Sequence, residues 1–190
     1  ETRYKEIYAT DIKFLSEQVK QLTDWGFKFV QLNILDNVKI KELCHDADIV
    51  HHLAGITDVS YTKSESSELK DKSIADTAIV GTSNILNALP DTSKLIFPST
   101  HVIYEGISDT KFDLTEDEIP TPVLSYSKSK YQNEQQIQSS GKNHVILRLA
   151  SAYGYSGDTM RLNIMPNLFS KMAAQNLQIK LFILCVFYHL

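Results

Sequence analysis

The chain has 190 residues, of which 43% are hydrophobic and 22% are charged, and its net charge is -4 at pH 7. This composition predicts a soluble globular protein with a buried core. No segment concentrates lysine and arginine enough to follow a phosphate backbone, so nucleic acid is not an expected partner. The apolar stretch at the end is shorter than the ~20 residues of a membrane-crossing helix. A charged start without a signal-peptide pattern and two distant cysteines, Cys44 and Cys185, predict a cytoplasmic protein without membrane attachment.

Short apolar runs alternate with segments of helical periodicity, and this alternation predicts an α/β fold with a mainly parallel sheet. The predicted strands, in chain order, cover residues 5–10, 28–32, 48–53, 94–99 and 143–149. The predicted helices cover residues 12–25, 38–44, 72–89, 127–139 and 160–175, and residues 63–73 are predicted as a polar surface loop. Gly26, Pro90 and Gly141 follow three of these helices, as stop signals do.

Polar and glycine-containing motifs follow three of the predicted strands. They are "HLAG" (residues 52–55), "STHVIYE" (residues 99–105) and "ASAYG" (residues 150–154). Ligands of open parallel sheets bind outside the carboxyl ends of the strands, so we expect a ligand site where these motifs meet.

A tyrosine and a lysine lie four residues apart in "LSYSKSKYQNEQ" (residues 124–135). Chance supplies about one such spacing in a chain of this composition, so two surface neighbours on a helix remain an alternative. Ser125 is a predicted N-cap, which would place Tyr126 and Lys130 on one face of the helix. A nearby ammonium stabilises a phenolate and lowers its pKa from about 10, so this pair suits acid/base chemistry. Thr100, or Ser99 in its place, could supply a further hydroxyl.

Five motifs carry a family resemblance, and their order and spacing are maintained up to about residue 179. They are "ADIVHHLAG" (residues 47–55), "GTSNILNAL" (81–89), "FPSTHVIYE" (97–105), "PVLSYSKSKYQNE" (122–134) and "ILRLASAYG" (146–154). Together they resemble the extended short-chain dehydrogenase/reductase family, the NAD-dependent epimerases and dehydratases that act on nucleotide sugars. The resemblance implies a Rossmann-like, doubly wound parallel sheet and a homodimer formed through the helix of Tyr126 and its neighbour.

The resemblance also implies roles for individual positions. Tyr126 would be the catalytic base, Lys130 would lower its pKa and hold the nicotinamide ribose, and Thr100 would be the third catalytic residue. Thr100, Tyr126 and Ser151 would contact the nucleotide-sugar substrate, and Arg148 would lie beside the nicotinamide. The residues implied for NAD, with NADP as the alternative, are Asp11, Asn33, Ile34, Leu53, Ala54, Gly55, Tyr126, Lys130 and Ala150.

The implied chemistry is hydride transfer between a sugar carbon and NAD, with Tyr126 exchanging the hydroxyl proton. The 4,6-dehydratases of the family have an Asp-Glu pair after the threonine, where this chain has His101 and Val102. Valine cannot act as a base, so an epimerase or a keto-sugar reductase is favoured. No metal site is expected, since His51 and His52 point to opposite faces of a strand.

The family's pyrophosphate-binding Gly-x-x-Gly-x-x-Gly turn is not found in this sequence. Its seven glycines are Gly26, Gly55, Gly81, Gly106, Gly141, Gly154 and Gly157. We therefore expect a sheet that lacks its central first strand, which separates one pair of strands from the others, and weak NAD binding by this chain. The expected domains are a partial NAD-binding Rossmann domain (residues 1–158) and the beginning of a C-terminal substrate-binding domain (residues 159–190).

Smaller departures from the family pattern are Ala78 for Asn, Glu105 for Gly and Ser151 for Asn, each expected to weaken cofactor or substrate contacts. The absence of the glycine-rich turn leaves a second interpretation open. The chain could be a truncated, catalytically silent Rossmann-type module that serves only as a binding or structural module.

Overall fold

The computed structural model of the protein describes residues 6–56, 68–155, 162 and 164–179. The chain divides into two compact units, residues 1–149 and residues 150–190. The domain boundary predicted at residue 158 lies outside the described residues.

Strands and helices alternate along the described chain, which confirms the α/β class. The strands are β1 (Tyr8–Asp11), β2 (Lys28–Gln31), β3 (Ile49–His51), β4 (Lys94–Thr100) and β5 (Asn143–Leu149). The helices are α1 (Ser16–Asp24), α2 (Asn37–Cys44), α3 (Glu68–Ala88), α4 (Ser125–Ser139) and α5 (Met165–Ala174), and a 3₁₀ turn (His101–Tyr104) follows β4.

All strand pairs in the described chain are parallel, and they form two separate sheets. One sheet contains β1 and β2, and the other has the order β3-β4-β5. The separation of one pair of strands from the other three confirms the expectation from the missing central strand. Because every strand in a sheet runs the same way, the carboxyl ends of β3, β4 and β5 lie along one edge.

The core is centred on β4, whose alternate side chains Leu95 and Phe97 are completely buried. This alternation follows from the two-residue period of a strand, which turns every second side chain to the same face. Ile85 from α3 and Ile137 from α4 belong to the same buried cluster, and so does Leu32, which follows β2. One continuous core therefore joins both sheets to the helices within the first unit.

Several element boundaries differ from the sequence-based prediction. Helix α3 begins at Glu68 instead of residue 72, so part of the segment predicted as a polar loop is helical. Its first turn carries Glu68 and Asp71, and acidic residues there interact favourably with the helix dipole. Helix α1 begins at Ser16 instead of residue 12 because the Asp11 carboxylate accepts the Lys13 N–H at 2.8 Å and forms a turn.

The second unit is described through α5 and the segment that follows β5. Gly154 donates its backbone N–H to the Asn167 side chain at 3.1 Å. Pro166 lies near the start of α5, where a missing N–H costs nothing. The predicted helix of residues 160–175 is confirmed from Met165 onward, while residues 160, 161 and 163 lie outside the described residues. Across the described part of the chain, no helix combines the length and apolar character that a membrane span requires.

Candidate active site

Thr100 is the last residue of β4 and lies at the carboxyl edge of the three-stranded sheet. Its hydroxyl oxygen accepts the Val102 N–H at 3.3 Å and so caps the 3₁₀ turn. A hydroxyl that accepts one hydrogen bond keeps its own proton for donation. Thr100 is 8% exposed, and the buried Ser99 hydroxyl beside it has no hydrogen-bond partner among the described residues. The Thr100 hydroxyl oxygen is therefore held in place at the strand end, and its O–H group can donate a hydrogen bond.

Tyr126 and Lys130 lie in the first turns of α4, and Tyr126 is half-buried. The predicted N-cap, Ser125, is instead the first helical residue, and the N-cap position is occupied by Leu124 without a side-chain cap. The Glu105 carboxylate accepts the Leu124 N–H at 2.6 Å, and so takes the place of a local cap. The sequence did not predict this cap because the capping group comes from another segment of the chain.

Lys130 links α4 to the end of β4. Its ammonium donates to the Pro98 carbonyl at 2.8 Å and lies 4.5 Å from the centroid of the Phe97 ring. The same ammonium lies 6.0 Å from the centroid of the Tyr126 ring. Burial lowers the pKa of Lys130 to about 8, partly opposed by the Glu134 carboxylate. Lys130 is thus a desolvated cation at neutral pH, placed between the tyrosine and the strand that ends at Thr100.

His52 is buried beside Lys130. One ring nitrogen, Nε2, lies 2.8 Å from the Thr82 hydroxyl, and the ring centroid lies 5.3 Å from that of Phe97. Burial, with the Lys130 charge as a second cause, lowers the pKa of His52 to about 4. His52 is therefore neutral at physiological pH and adds no second positive charge. In the sequence, only the position of His52 in "HHLAG" indicated that it is buried. Side chains alternate between the two faces of a strand, and this correctly places His52 opposite the exposed His51.

The Arg148 guanidinium binds other groups of the chain. The guanidinium pairs with the buried carboxylate of Glu134 at 2.8 Å and donates to the Tyr104 hydroxyl and the Glu116 carbonyl, at 2.5 and 2.7 Å. The hydrogen bond with Glu134 raises the pKa of Arg148 further. The side chain joins β5, α4 and the segment after the 3₁₀ turn, and its position beside the nicotinamide stays a prediction.

The residues predicted to meet the adenosine half lie at the end of β1 and just after β2. Asp11 and Asn33 are exposed, and each side chain accepts a backbone N–H two residues further on, at 2.8 and 3.0 Å. Ile34 is 9% exposed and belongs to the core. A Cβ atom on Gly81 would approach the Ile34 side chain to 2.9 Å, so the absence of a side chain at Gly81 permits this packing. The Ile34 side chain is therefore used for packing.

Leu53, Ala54 and Gly55 follow β3 and are exposed, with Leu53 70% accessible. A Cβ built on Gly55 would meet nothing within 4 Å, so the backbone there borders open space. A flat ligand could approach this segment closely. Ala150 and Ser151 come directly after β5, are exposed, and belong to the second unit.

These residues suit one half of a dinucleotide better than the other. A ribose and nicotinamide could be held by Lys130, Tyr126 and the open backbone at Gly55. None of the helices in residues 6–56, 68–155 and 164–179 begins after a glycine-rich turn that would receive a pyrophosphate. The same ranges contain no group of three or more His, Cys, Asp or Glu side chains that could hold a metal ion.

Parallel strands, intervening helices and reactive side chains at the carboxyl strand ends define a Rossmann-like α/β protein. The UDP-glucuronic acid 4-epimerase of Bacillus cereus, solved with NAD, is similar with a TM-score of 0.69 and 21% identity, covering 90% of this chain and 55% of that one. The UDP-glucose 4-epimerase of Thermotoga maritima has a TM-score of 0.69 and 22% identity, with coverages of 93% and 65%. At this identity the likeness concerns the fold.

The family described as "RmlD substrate binding domain" matches residues 5–180, and the chain belongs to this family. A probable low-salt glycan biosynthesis reductase of Haloferax volcanii is 30% identical over 157 residues, covering 80% of this chain and 49% of that protein. Methionine adenosyltransferase 2 subunit beta of Rattus norvegicus is 28% identical over 131 residues, covering 67% and 36%. The chain thus spans about half, or less, of the length of these curated relatives.

Proposed function

We propose that the protein carrying this chain is an NAD-dependent oxidoreductase of nucleotide sugars that reduces a keto sugar. One observation carries the proposal. The half-buried Lys130 ammonium donates to the carbonyl of Pro98, which lies two residues before Thr100 in β4. The same ammonium lies 6.0 Å from the centroid of the Tyr126 ring. This is an arrangement of acid, charge and hydroxyl that carbonyl reduction requires.

The chain's own residues handle the proton and the oxygen. The Tyr126 hydroxyl donates its proton to the carbonyl oxygen of the substrate, and the Lys130 charge stabilises the phenolate that remains. The Thr100 hydroxyl donates a hydrogen bond to the same oxygen. Bound NADH supplies the hydride that the carbonyl carbon receives. One hydride and one proton convert the C=O group into CH–OH, and solvent returns a proton to the tyrosine.

The proposed cofactor contacts lie at or after the strand ends and on the first turns of α4. Tyr126 and Lys130 hold the nicotinamide ribose, and the exposed segment Leu53, Ala54 and Gly55 borders the dinucleotide. For Ala150, in the second unit, a cofactor contact is proposed from the family resemblance alone. Asp11 meets the adenosine ribose, while Asn33 and Ile34 lie towards the adenine. Ser151 contacts the substrate. NADP is the alternative cofactor, and a homodimer in the cytoplasm is the expected state of the protein.

A reductase is preferred to the other reactions of such folds. The curated relative at 30% identity is named as a reductase, and the match covers 80% of this chain. A 4,6-dehydratase would need an acid and a base after Thr100. Here the His101 ring nitrogen Nδ1 lies 3.1 Å from the Leu149 carbonyl, and Val102 has no ionisable group. An epimerase would use the same three residues but return the hydride to the other face of the sugar.

The test uses deuterated NADH, a panel of UDP-linked keto sugars and mass spectrometry of the products. A reductase oxidises one NADH per sugar and leaves deuterium at the reduced carbon, whereas an epimerase shows no net oxidation. Tyr126→Phe should lower kcat by about a thousandfold and leave NAD affinity largely intact, because Lys130 still contacts the nicotinamide ribose. Tyr131→Phe, on the same helix, is the matched control. Substantial activity in Tyr126→Phe would contradict the assigned role.

A second candidate is a catalytically silent module that serves in binding or assembly. It is supported by the absence of a glycine-rich pyrophosphate turn from the sequence and by the 28% identity to a protein named as a subunit of methionine adenosyltransferase. The same assay separates the two candidates. A silent module gives neither NADH oxidation nor deuterium transfer with any sugar of the panel.

A further inference from the structure

Glu105 holds the start of the helix that carries Tyr126. One carboxylate oxygen, Oε1, accepts the backbone N–H of Val123 at 2.8 Å and that of Leu124 at 2.6 Å. The Ser127 hydroxyl, completely buried, donates to the same oxygen. Hydrogen bonds to an ionised carboxylate are stronger than those between neutral groups, and a negative charge is favourable at a helix N-terminus. Helix α4 is therefore capped from outside its own segment.

Backbone contacts next to Glu105 reinforce this attachment. Thr121 donates its N–H to the Ile103 carbonyl at 2.9 Å, and Gly106 donates its N–H to the Thr121 carbonyl at 3.0 Å. A Cβ on Gly106 would lie 2.4 Å from that carbonyl oxygen and 2.9 Å from the Val123 side chain. The backbone at Gly106 and the backbone at Thr121 approach each other so closely that only glycine fits at position 106.

The attachment connects the two halves of the candidate active site. The 3₁₀ turn His101–Tyr104 runs directly from Thr100 to Glu105, with the Thr100 hydroxyl as its cap. On the other side, Leu124 is the N-cap of α4 and Tyr126 is the second helical residue. The connection from Thr100 to Tyr126 therefore consists of the 3₁₀ turn, the Glu105 carboxylate with its hydrogen bonds to Val123 and Leu124, and the first turn of α4.

We propose that Glu105 is a positioning residue, which sets the place of the Tyr126 hydroxyl relative to Thr100 through its bonds to Val123, Leu124 and Ser127. The inference rests on the proposed function, in which these two hydroxyls act on one substrate oxygen. Glu105 itself touches neither substrate nor cofactor. A displacement of about 1 Å between reacting groups lowers the rate by about a hundredfold, so a loosened helix start has a large effect on turnover.

The first test needs no cofactor. Hydrogen exchange of the Val123 and Leu124 amides and the NMR signal of Tyr126 in tyrosine-labelled protein are measured in the parent and in Glu105→Ala. Exchange should accelerate by about tenfold or more, and the Tyr126 signal, identified by its loss in Tyr126→Phe, should shift and broaden. Glu105→Gln keeps an acceptor oxygen and should retain most of the parent behaviour. An unchanged Tyr126 signal in Glu105→Ala would overturn the proposal, whatever reaction the protein catalyses.

The second test is turnover with NADH and the keto sugar. Glu105→Ala should lower kcat by about ten- to a hundredfold with KM changed less than about threefold, and Glu105→Gln should recover most of it. Glu118→Gln, which removes a carboxylate paired only with Lys111 in the same segment, is the matched control. Full kcat in Glu105→Ala together with an inactive Tyr126→Phe contradicts the positioning role. An active Tyr126→Phe contradicts the proposed function instead.

Two further variants keep the proposal testable if Glu105→Ala does not fold. Glu105→Asp retracts the carboxylate by one methylene, and Gly106→Ala pushes on the Thr121 carbonyl while leaving Glu105 intact. Both should lower kcat and shift the Tyr126 signal. If both variants fold and have the kcat and the Tyr126 signal of the parent protein, the inference is contradicted.

Discussion

The Lys130 ammonium donates a hydrogen bond to the Pro98 carbonyl at 2.8 Å, and this bond ties the helix of Tyr126 to the strand that ends at Thr100. Proline has no N–H, but its carbonyl remains available as an acceptor. The bond satisfies one of the three donors of the ammonium and leaves others for a ligand. Burial lowers the pKa of Lys130 to about 8, so the charge of this ammonium changes with pH just above neutrality.

The rate should fall above about pH 8, where Lys130 loses its proton. The sign follows from the lowered pKa, because Lys130 is charged below that value and neutral above it. Lys130→Arg retains the charge, so the falling limb of the pH–rate profile should move up by more than about one unit, at a lower absolute rate. Exposed Lys128 on the same helix provides the control Lys128→Arg. A falling limb that stays in place in Lys130→Arg would rule out Lys130 as its source.

Acid should destabilise the fold through His52. Its pKa is about 4 in the folded protein and near 6.5 when unfolded, so the unfolded state binds more protons between these values. The free energy of unfolding should therefore decrease as the pH falls through this window, by up to about 3 kcal/mol.

Urea unfolding at neutral pH and near pH 5 measures this effect of His52. In His52→Gln the loss between the two conditions should be much smaller, although the variant is less stable at neutral pH. The exposed neighbour provides the control, since His51→Gln should leave the pH dependence as in the parent. Equal pH dependence in parent and His52→Gln would refute the assignment.

Substitutions of Arg148 and Glu134 should have strongly non-additive effects on the free energy of unfolding, because the two side chains form an ion pair. The Glu134 side chain is 1% exposed, so Arg148→Met leaves a buried carboxylate without its partner and should cost about 3–5 kcal/mol. The double variant with Glu134→Gln should lose clearly less than the sum of the two single variants. Chemical unfolding of the four proteins measures this coupling.

An exposed ion pair of the same chain serves as the control for that cycle. Lys20 and Asp24 lie one helical turn apart with their charged groups 3.0 Å from each other. Removing this pair should change the free energy of unfolding by less than about 1 kcal/mol. Strict additivity of the Arg148 and Glu134 substitutions would mean that the buried pair is not an interacting unit.

The 190-residue chain should bind NAD weakly, with a Kd above about 100 µM, because the sequence has no glycine-rich turn for the pyrophosphate. Calorimetric titration with NAD measures this directly, and Lys130→Met should remove any residual heat that comes from the nicotinamide ribose. Micromolar or tighter binding would refute the prediction and show that another segment holds the phosphates.

The bounds of the strands and helices show where local sequence patterns are enough to predict secondary structure. Strand β5 was predicted with its observed bounds, because Gly141 ends the preceding helix and the apolar run that follows is too short for a helix. The start of α3 was missed by four residues because Leu69 is 84% exposed there, and a polar, exposed helical turn has no hydrophobic periodicity. Likewise, a side-chain turn at Asp11 delayed the start of α1.

The sequence by itself determined the order of elements, the split of the sheet and the strand ends at which the candidate residues lie. These properties follow from periodicity, stop signals and motif order, which are local. Only the tertiary structure decided what Glu105 and Arg148 do. Glu105 caps α4, and Arg148 pairs with Glu134. Their partners lie 14 or more positions away in the chain, and no local pattern identifies which distant group a charged side chain will bind.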